Sequence, residues 1–207
     1  MLYYLITESP IQTPKGFTFD ATYDRTTVQK NFYDESCAAI IESVLEGFNG
    51  TIFAYGQTGC GKSFTMQGKD DPPELRGVMP NAINHIFEYV NAMNDSNNEY
   101  LVYCSYLEIY MEELTDLLAD AKSTVKLDIK EDPNKGIYVK GLSTHVVKND
   151  TEMNACLDKG MSNRHVAATL MNSESSRSHS IFTISIEMSS KVCVSIFSLN
   201  LSSSMFS

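Results

Sequence analysis

One short stretch of this sequence has the residue types and the spacing needed to hold a chain of phosphates. Residues 56–63 read GQTGCGKS, which fits the pattern G-x-x-x-x-G-K-[ST]. Glycines have no Cβ, so the backbone can turn its N–H groups inward around an anion. The lysine brings a positive charge to the outer phosphates, and the serine hydroxyl can bind Mg²⁺. The stretch therefore predicts a site for a nucleoside triphosphate.

The residues on either side predict the two elements that must position this loop. Residues 51–55 are apolar, rich in β-formers and bounded by glycines, which favours a buried strand. Residues 63–67 can continue the loop as a short helix before Gly68 ends it. The order strand, glycine loop, helix distinguishes a phosphate-binding loop from an ordinary glycine-rich turn.

The composition limits the class of protein. The chain has 207 residues, enough for one domain with a sizeable core or for part of a larger one, and its 43% hydrophobic and 20% charged residues are ordinary for a globular protein. The net charge of −10 argues against binding to nucleic acid or to anionic membranes, and no stretch could insert into a membrane. The five cysteines and four histidines lack disulfide or metal-ligand spacing, so we expect neither and favour a reducing compartment.

The remaining pattern alternates between helices and strands, which predicts the α/β class. The predicted strands are 17–20, 51–55, 100–110 and 180–188; the predicted helices are 34–48, one beginning at Pro80 and one from Asp150 to Gly160; residues 126–140 are predicted to form a hairpin around the turn DPNKG.

A second polar cluster precedes the last predicted strand. Residues 172–180 read NSESSRSHS. A solvated loop is the simpler interpretation of this composition. Beside a phosphate-binding loop, however, clustered hydroxyls and an arginine suit an element that senses a γ-phosphate and its Mg²⁺.

Taken together, these motifs resemble the kinesin motor domain. They follow that family's order between about residue 14 and residue 190, and the stretches 63–68, 71–73 and 180–189 are most similar to the homodimeric intraflagellar-transport motors of the second kinesin family. The motifs are FTFD at 17–20, GTIFAYGQTG at 50–59 with GK at 61–62, SYLEIY at 105–110, DLL at 116–118, NRHVA at 163–167 and NSESSRSHS at 172–180.

This resemblance implies a P-loop NTPase-type fold with a central mixed β-sheet flanked by helices, here an incomplete motor domain. It divides the chain into a divergent leader (1–13), a partial motor domain with the P-loop and first switch (14–190) and a divergent serine-rich tail (191–207).

The resemblance also implies ATP and Mg²⁺ as ligands and assigns them residues. Lys62 would contact the β- and γ-phosphate oxygens, Phe64 would stack on the adenine, and Ser63 and Ser176 would serve the Mg²⁺. Ser175 and Ser176 would also order the attacking water, within a first switch that closes on the γ-phosphate. The implied nucleotide-binding set is Gly56, Gln57, Thr58, Gly59, Cys60, Gly61, Lys62, Ser63 and Phe64, and the implied catalytic set is Asn172, Ser175, Ser176 and Arg177.

The activity that the resemblance implies is ATP hydrolysis coupled to movement along microtubules. The microtubule would be the partner, with the hairpin near 134–140 facing it, and no nucleic acid or membrane insertion is expected. The implied location is the cytoplasm and its microtubule cytoskeleton, with the cilium as a further expectation. Dimerisation elements are not expected in this chain.

Two parts of the family's pattern have no match. Residues 1–13 do not resemble the family's first strand with its R-x-R-P segment, and no DLAGSE second switch follows residue 180. Because Arg177 would pair with an acid of that switch, efficient hydrolysis is not expected, and microtubule binding should be weakened. Residues 192–201 are apolar enough to occupy one vacant strand position. The alternative function is therefore a catalytically impaired nucleotide-binding or interaction fragment.

A small GTPase is a third interpretation and fits less well. Guanine recognition there uses an N-K-x-D segment, whereas residues 134–137 read NKGI, with isoleucine in place of the acid.

Overall fold

The computed structural model describes residues 16–93, 98–120, 123, 125–133, 136–170, 178–190 and 194–203, of which residues 165–170, 190, 194 and 202–203 are described as backbone alone. None of the described helices is both long enough and apolar enough to cross a bilayer. The helices are α1 Gln29–Ser36, α2 Ala38–Leu45, α3 Lys62–Met66, α4 Val78–Met93 and α5 Asp150–Leu170, with a 3₁₀ turn at Pro73–Leu75; the strands are β1 Gly50–Ala54, β2 Asn98–Tyr110, β3 Glu113–Asp116, β4 Asp128–Asp132, β5 Gly136–Lys140, β6 His145–Val147, β7 His179–Ser190 and β8 Val194–Ser203.

The main sheet is mixed, in the order β1-β8-β7-β2-β3, with β6 also paired to β2. β8 runs parallel to β1, whereas the pairs β7–β8, β2–β7, β2–β3 and β2–β6 are antiparallel. The hairpin β4–β5 forms a separate two-stranded sheet. The predicted α/β class with a central mixed sheet is confirmed.

The core lies between one face of this sheet and the helices. Successive side chains of a strand point to opposite faces, so alternate apolar residues of the middle strands are buried together. These are Val102, Cys104 and Tyr106 on β2, Phe182, Ile184 and Ile186 on β7, and Phe197, Leu199 and Leu201 on β8. α2, α4 and α5 supply the facing side chains, including Ile41, Ile83, Ile86 and Met153.

Most of the predicted strands are confirmed, including the one proposed for the tail. The stretches 51–55, 100–110 and 180–188 correspond to β1, β2 and β7, and residues 126–140 contain the hairpin β4–β5. The apolar stretch 192–201 supplies β8, which lies between β1 and β7. Its alternation of apolar and polar residues from Phe197 to Leu201 buries one face of the strand.

The strand predicted at 17–20 is wrong. Residues 17–19 have no regular structure, and the side chains of Phe17 and Phe19 are 63% and 49% exposed. The predicted strand depended only on the alternation of two aromatic residues. Among the described residues, no strand pairs with this stretch.

The single helix predicted over 34–48 is also wrong, because two helices meet at Cys37. The apolar stripe correctly predicts α2. α1 begins earlier, at Gln29, and buries only Gln29 and Tyr33, so it leaves no apolar stripe that a sequence pattern could reveal. α4 likewise begins at Val78, two residues before the predicted Pro80.

Gly160 does not end α5, which continues to Leu170. Gly160 instead lies against Tyr106 of β2, and a Cβ at this position would overlap the tyrosine ring. The glycine therefore allows close approach of the helix to the sheet. The cap of α5 also differs from the predicted Asp150: the Glu152 N–H donates to Asn149 Oδ1 (2.8 Å), and the Glu152 carboxylate accepts from the Lys148 N–H (2.8 Å).

Candidate nucleotide-binding site

The loop at 56–61 joins the end of β1 to the start of α3, as the sequence predicts. Gly59 and Gly61 have φ of +78° and +99°, in the left-handed region that favours glycine. A Cβ built on either residue would meet nothing within 4 Å, whereas one on Gly56 would lie 2.5 Å from Cys60 Sγ. Gly56 thus lets the loop fold onto itself, while Gly59 and Gly61 face open space.

Lys62 is buried, and its ammonium group is held over this loop. Lys62 Nζ donates to the carbonyl oxygens of Gly56 (2.6 Å) and Gln57 (2.7 Å). Among the residues that the structure describes, no carboxylate forms an ion pair with it. Cys60 Sγ lies 3.8 Å from the same Nζ. A buried cation that has two carbonyls and a sulfur but no carboxylate as partners retains a strong preference for an anion. The residues present therefore fit a phosphate group.

α3 begins directly at the lysine, as expected for a phosphate-binding loop. The Thr65 N–H donates to Gly61 O and the Gln67 N–H donates to Ser63 O, each at 2.8 Å. The Ser63 side chain is exposed at the first turn of this helix, where a metal ion beside the loop could reach its hydroxyl.

Phe64, on the helix that follows the loop, lines a largely apolar cavity. The cavity has a volume of about 380 Å³ and is also lined by Tyr23, Val28, Phe32 and Leu75, together with the charged residues Asp24, Arg25 and Glu74. The Phe64 carbonyl accepts a hydrogen bond from the buried Gln29 side chain, which joins the start of α1 to α3. An aromatic ring bordering an apolar cavity of this size suits a flat heterocyclic base.

β8 brings its own carboxyl end to the same edge of the sheet. In the parallel pairing, Ala54 lies opposite Ser203 and Phe53 lies opposite Ser202. The pairing places this end of β8 two residues from the start of the phosphate-binding loop, at the edge where α/β sheets bind ligands. Although the tail was predicted to fill a strand position, its register against β1 could not be read from the sequence.

The predicted first-switch residues Asn172, Ser175, Ser176 and Arg177 lie outside the described residues. The structure describes their flanks, Leu170 at the end of α5 and Ser178 before β7. In the described part of the chain, no group of three or more histidine, cysteine or acidic side chains is arranged to hold a metal ion.

Sequence reasoning assigned no role to one buried polar cluster near these flanks. Arg164 of α5 forms an ion pair with Glu108 of β2 and hydrogen bonds to Ser178. Both Arg164 and Glu108 fall within motifs that carried the family resemblance. No pattern within either motif indicates that the two side chains meet, because 56 positions separate them.

Strand, glycine loop and helix at the carboxyl edge of a mixed sheet place this chain in the P-loop α/β class of folds. The sequence profile of the kinesin motor domain matches residues 5–201. The chain therefore belongs to the kinesin motor-domain family.

Known proteins of similar sequence agree with this assignment. The chain is 50% identical over 183 residues to the kinesin-like protein KIF3C of Pongo abelii and, equally, to that of Mus musculus, with 88% of this chain covered in each case. It is 49% identical over 180 residues to KIF3C of Bos taurus, with 87% covered. The chain spans 22–23% of the length of these relatives.

A solved structure agrees as well. A fast kinesin, described with implications for its ATPase mechanism and its interactions with microtubules, superimposes with a TM-score of 0.86 at 42% sequence identity. The match covers 91% of this chain and 53% of the kinesin chain.

Proposed function

We propose that this chain binds ATP with Mg²⁺ as part of a kinesin motor domain. The observation that carries the proposal is Lys62, whose buried ammonium group is held over an open glycine loop by two carbonyls and the Cys60 sulfur, with no carboxylate paired to it among the described residues. The loop amides of 56–61 would bind the phosphates, Lys62 would contact the β- and γ-phosphate oxygens, and Ser63 would bind Mg²⁺. The bound Mg²⁺ would neutralise charge on the phosphates.

The adenine would lie at Phe64. The apolar cavity that Phe64 lines offers a base-sized space beside the loop, which supports an assignment that otherwise depends on family resemblance. Gln29 would hold the backbone of α3 in place for this contact through its bond to the Phe64 carbonyl.

Hydrolysis coupled to movement along microtubules is the activity proposed for the whole protein. The catalytic group would come from Asn172, Ser175, Ser176 and Arg177, with Ser176 joining Ser63 at the Mg²⁺. The β4–β5 hairpin supports a microtubule-facing role, since Ile129 and Ile137 on it are exposed alongside Lys130 and Lys140. We likewise propose that the protein belongs to the second kinesin family. Its proposed location is the cytoplasmic microtubule cytoskeleton, with the cilium as a further location.

The end of β8 favours a second candidate function, a nucleotide-binding fragment with impaired catalysis. The described strand Val194–Ser203 contains no aspartate or glutamate, and it ends in serines beside Ala54 of β1. A carboxylate at this position would be the natural partner for a metal-bound water or for a switch arginine. Without one, ATP can bind while its hydrolysis remains slow.

Phosphate release by the purified chain, with and without microtubules, separates the two candidates. Release that rises with microtubule concentration supports a motor. Magnesium-dependent ATP binding with no stimulated release supports the impaired fragment. Retention of the chain by sedimented microtubules, measured in parallel with and without ATP, shows whether the partner binds at all.

A further inference from the structure

α5 packs against β2 through three contacts at regular intervals. The contacts are a hydrogen bond between two thiols, a glycine backbone against an aromatic ring, and an ion pair. In chain order the contacting pairs are Cys104 with Cys156, Tyr106 with Gly160, and Glu108 with Arg164. Two residues of a strand advance about 6.8 Å and four residues of a helix about 6.0 Å. The helix therefore runs along the strand in register, and residues one turn apart meet alternate residues on one face of β2.

This register brings together Cys104 and Cys156, which we call the thiol pair. Gly160 has no side chain, so α5 approaches the sheet closely at Tyr106, and the small cysteine side chains meet one turn earlier. A disulfide requires Cα atoms that are only about 4.4–6.8 Å apart, so close packing of the two elements favours one. Both thiols are free in the structure.

The two members of the thiol pair differ in their access to solvent. Cys104 is 1% exposed, whereas Cys156 is partly exposed. Burial raises the pKa of the Cys104 thiol, and the neighbouring Cys156 raises it further, so Cys104 keeps its proton. Oxidation of a cysteine requires access to the oxidant and is faster for a thiolate. An oxidant from solvent therefore reaches Cys156 first, with Cys104 directly behind it.

We propose that the thiol pair is a site of reversible oxidation, at which a disulfide between Cys104 and Cys156 fastens α5 to β2. The inference does not depend on nucleotide binding. In a reducing compartment both thiols stay free, and the disulfide forms only when the surroundings become oxidising. Cysteine spacing could not indicate the site, because the two residues lie on different elements and meet only through the register of α5 on β2.

The oxidant is a peroxide, and the reaction has two steps. The Cys156 sulfur attacks one oxygen of hydrogen peroxide, the O–O bond breaks, and the other oxygen leaves as water with the thiol proton. The Cys104 sulfur then attacks the sulfur of the resulting Cys156 sulfenic acid. The S–O bond breaks, and the Cys104 proton leaves with the hydroxyl group as a second water. The two thiols lose two electrons in total, and one peroxide is reduced to two waters.

The disulfide should stabilise the fold against heat. It would close a loop of about 50 residues, which includes β3, the β4–β5 hairpin and β6, and so restrict the unfolded chain. For a loop of this length in a chain of this size, we expect the Tm to rise by about 5–15 °C. A thiol reductant should reverse the rise.

The experiment treats the purified wild-type chain with hydrogen peroxide, alkylates the remaining thiols and maps the peptides by mass spectrometry without reduction. A linked pair of peptides containing Cys104 and Cys156, lighter than their sum by two hydrogen atoms, is the expected product. Thermal unfolding of the same sample should show the higher Tm, and dithiothreitol should remove both the link and the rise. The mapping reports each cysteine separately, so oxidation elsewhere in the chain does not obscure the link.

Three variants complete the test. Cys156→Ala and Cys104→Ala should each lose the link and show no rise in Tm with peroxide. Cys37→Ala is the matched control, because Cys37 is also buried but lies where α1 meets α2. This variant should form the link and show the same rise as the wild type, each relative to its own untreated sample.

The outcomes decide the inference in either direction. The link together with a reversible rise in Tm supports it. It is overturned if peroxide leaves both thiols of the pair free to be alkylated after unfolding, if either is joined mainly to another cysteine, or if the link forms without a rise in Tm. Should Cys104→Ala not fold, the linked peptides of the wild type and the response of Cys156→Ala decide the question.

Discussion

Lys62 and the carbonyls that hold it suggest how a nucleotide would enter the loop. Its two bonds to carbonyl oxygens, Gly56 O and Gln57 O, each join a cation to a neutral dipole. Bonds between a cation and a phosphate oxygen are stronger than these, so an incoming triphosphate can displace both carbonyls. The buried position of Lys62 increases the difference, because electrostatic attraction is screened less away from water.

Cys60 provides a chemical probe of this loop. It is partly exposed, and its Sγ lies 3.8 Å from Lys62 Nζ. We expect saturating Mg-ATP to slow alkylation of Cys60 by iodoacetamide about tenfold, since only the ligand-free fraction would react. Peptide mapping by mass spectrometry measures the rate at each cysteine.

Cys37 is the internal control for this probe. Burial raises the pKa of the Cys37 thiol to about 11, so at pH 7.5 it remains protonated and reacts slowly with or without nucleotide. Equal labelling of Cys60 in the presence and absence of Mg-ATP would contradict a nucleotide seated on the loop.

At the scale of elements, short sequence patterns correctly predicted the structures that depend mainly on neighbouring residues. The glycine pattern of 56–61 predicted the loop, and the turn residues of 132–136 predicted the β4–β5 hairpin. What the sequence could not reveal depends on distant partners. In the sequence Gly160 resembles the end of a helix, and only its contact with Tyr106 explains why a glycine lies inside α5. The ion pair between Arg164 and Glu108 likewise depends on how α5 packs against β2.

Gly160→Ala tests this packing account of α5. Alanine in a helix interior is normally more favourable than glycine by up to about 1 kcal/mol. Here the added methyl group would overlap the Tyr106 ring, and overpacking typically costs about 1–3 kcal/mol. We therefore expect a lower free energy of unfolding in denaturant titrations. Ser162→Ala, at an exposed position of the same helix, should be close to neutral; a stabilised Gly160→Ala variant would refute the account.

β8 can be tested with two substitutions on its opposite faces. Leu199 is fully buried and Ile196 is 60% exposed. Leu199→Ala should lower the free energy of unfolding by about 2–5 kcal/mol through lost contacts and a cavity. Ile196→Ala should cost well under about 1 kcal/mol, because surface changes have small effects. Similar losses for both variants would mean that β8 does not occupy an interior position of the sheet, between β1 and β7.

At the scale of the whole molecule, the two faces of the sheet differ. Among the described residues, helices pack against one face, whereas Phe53 of β1, on the opposite side of the strand from Ile52 and Ala54, is 66% exposed. The chain accounts for 53% of the matched kinesin chain. The ATP binding proposed above needs the loop, α3 and the cavity at Phe64, all of which the structure describes.

Retention of labelled ATP in equilibrium dialysis with magnesium tests the central claim most directly. The folded wild-type chain should retain ATP, and Lys62→Ala should weaken binding about 10- to 100-fold, as the loss of a charge-assisted bond predicts. Lys69→Ala, which removes an exposed charge outside the loop, should bind like the wild type. A folded wild-type chain that retains no ATP, or a Lys62→Ala variant that retains as much as the wild type, would contradict the account.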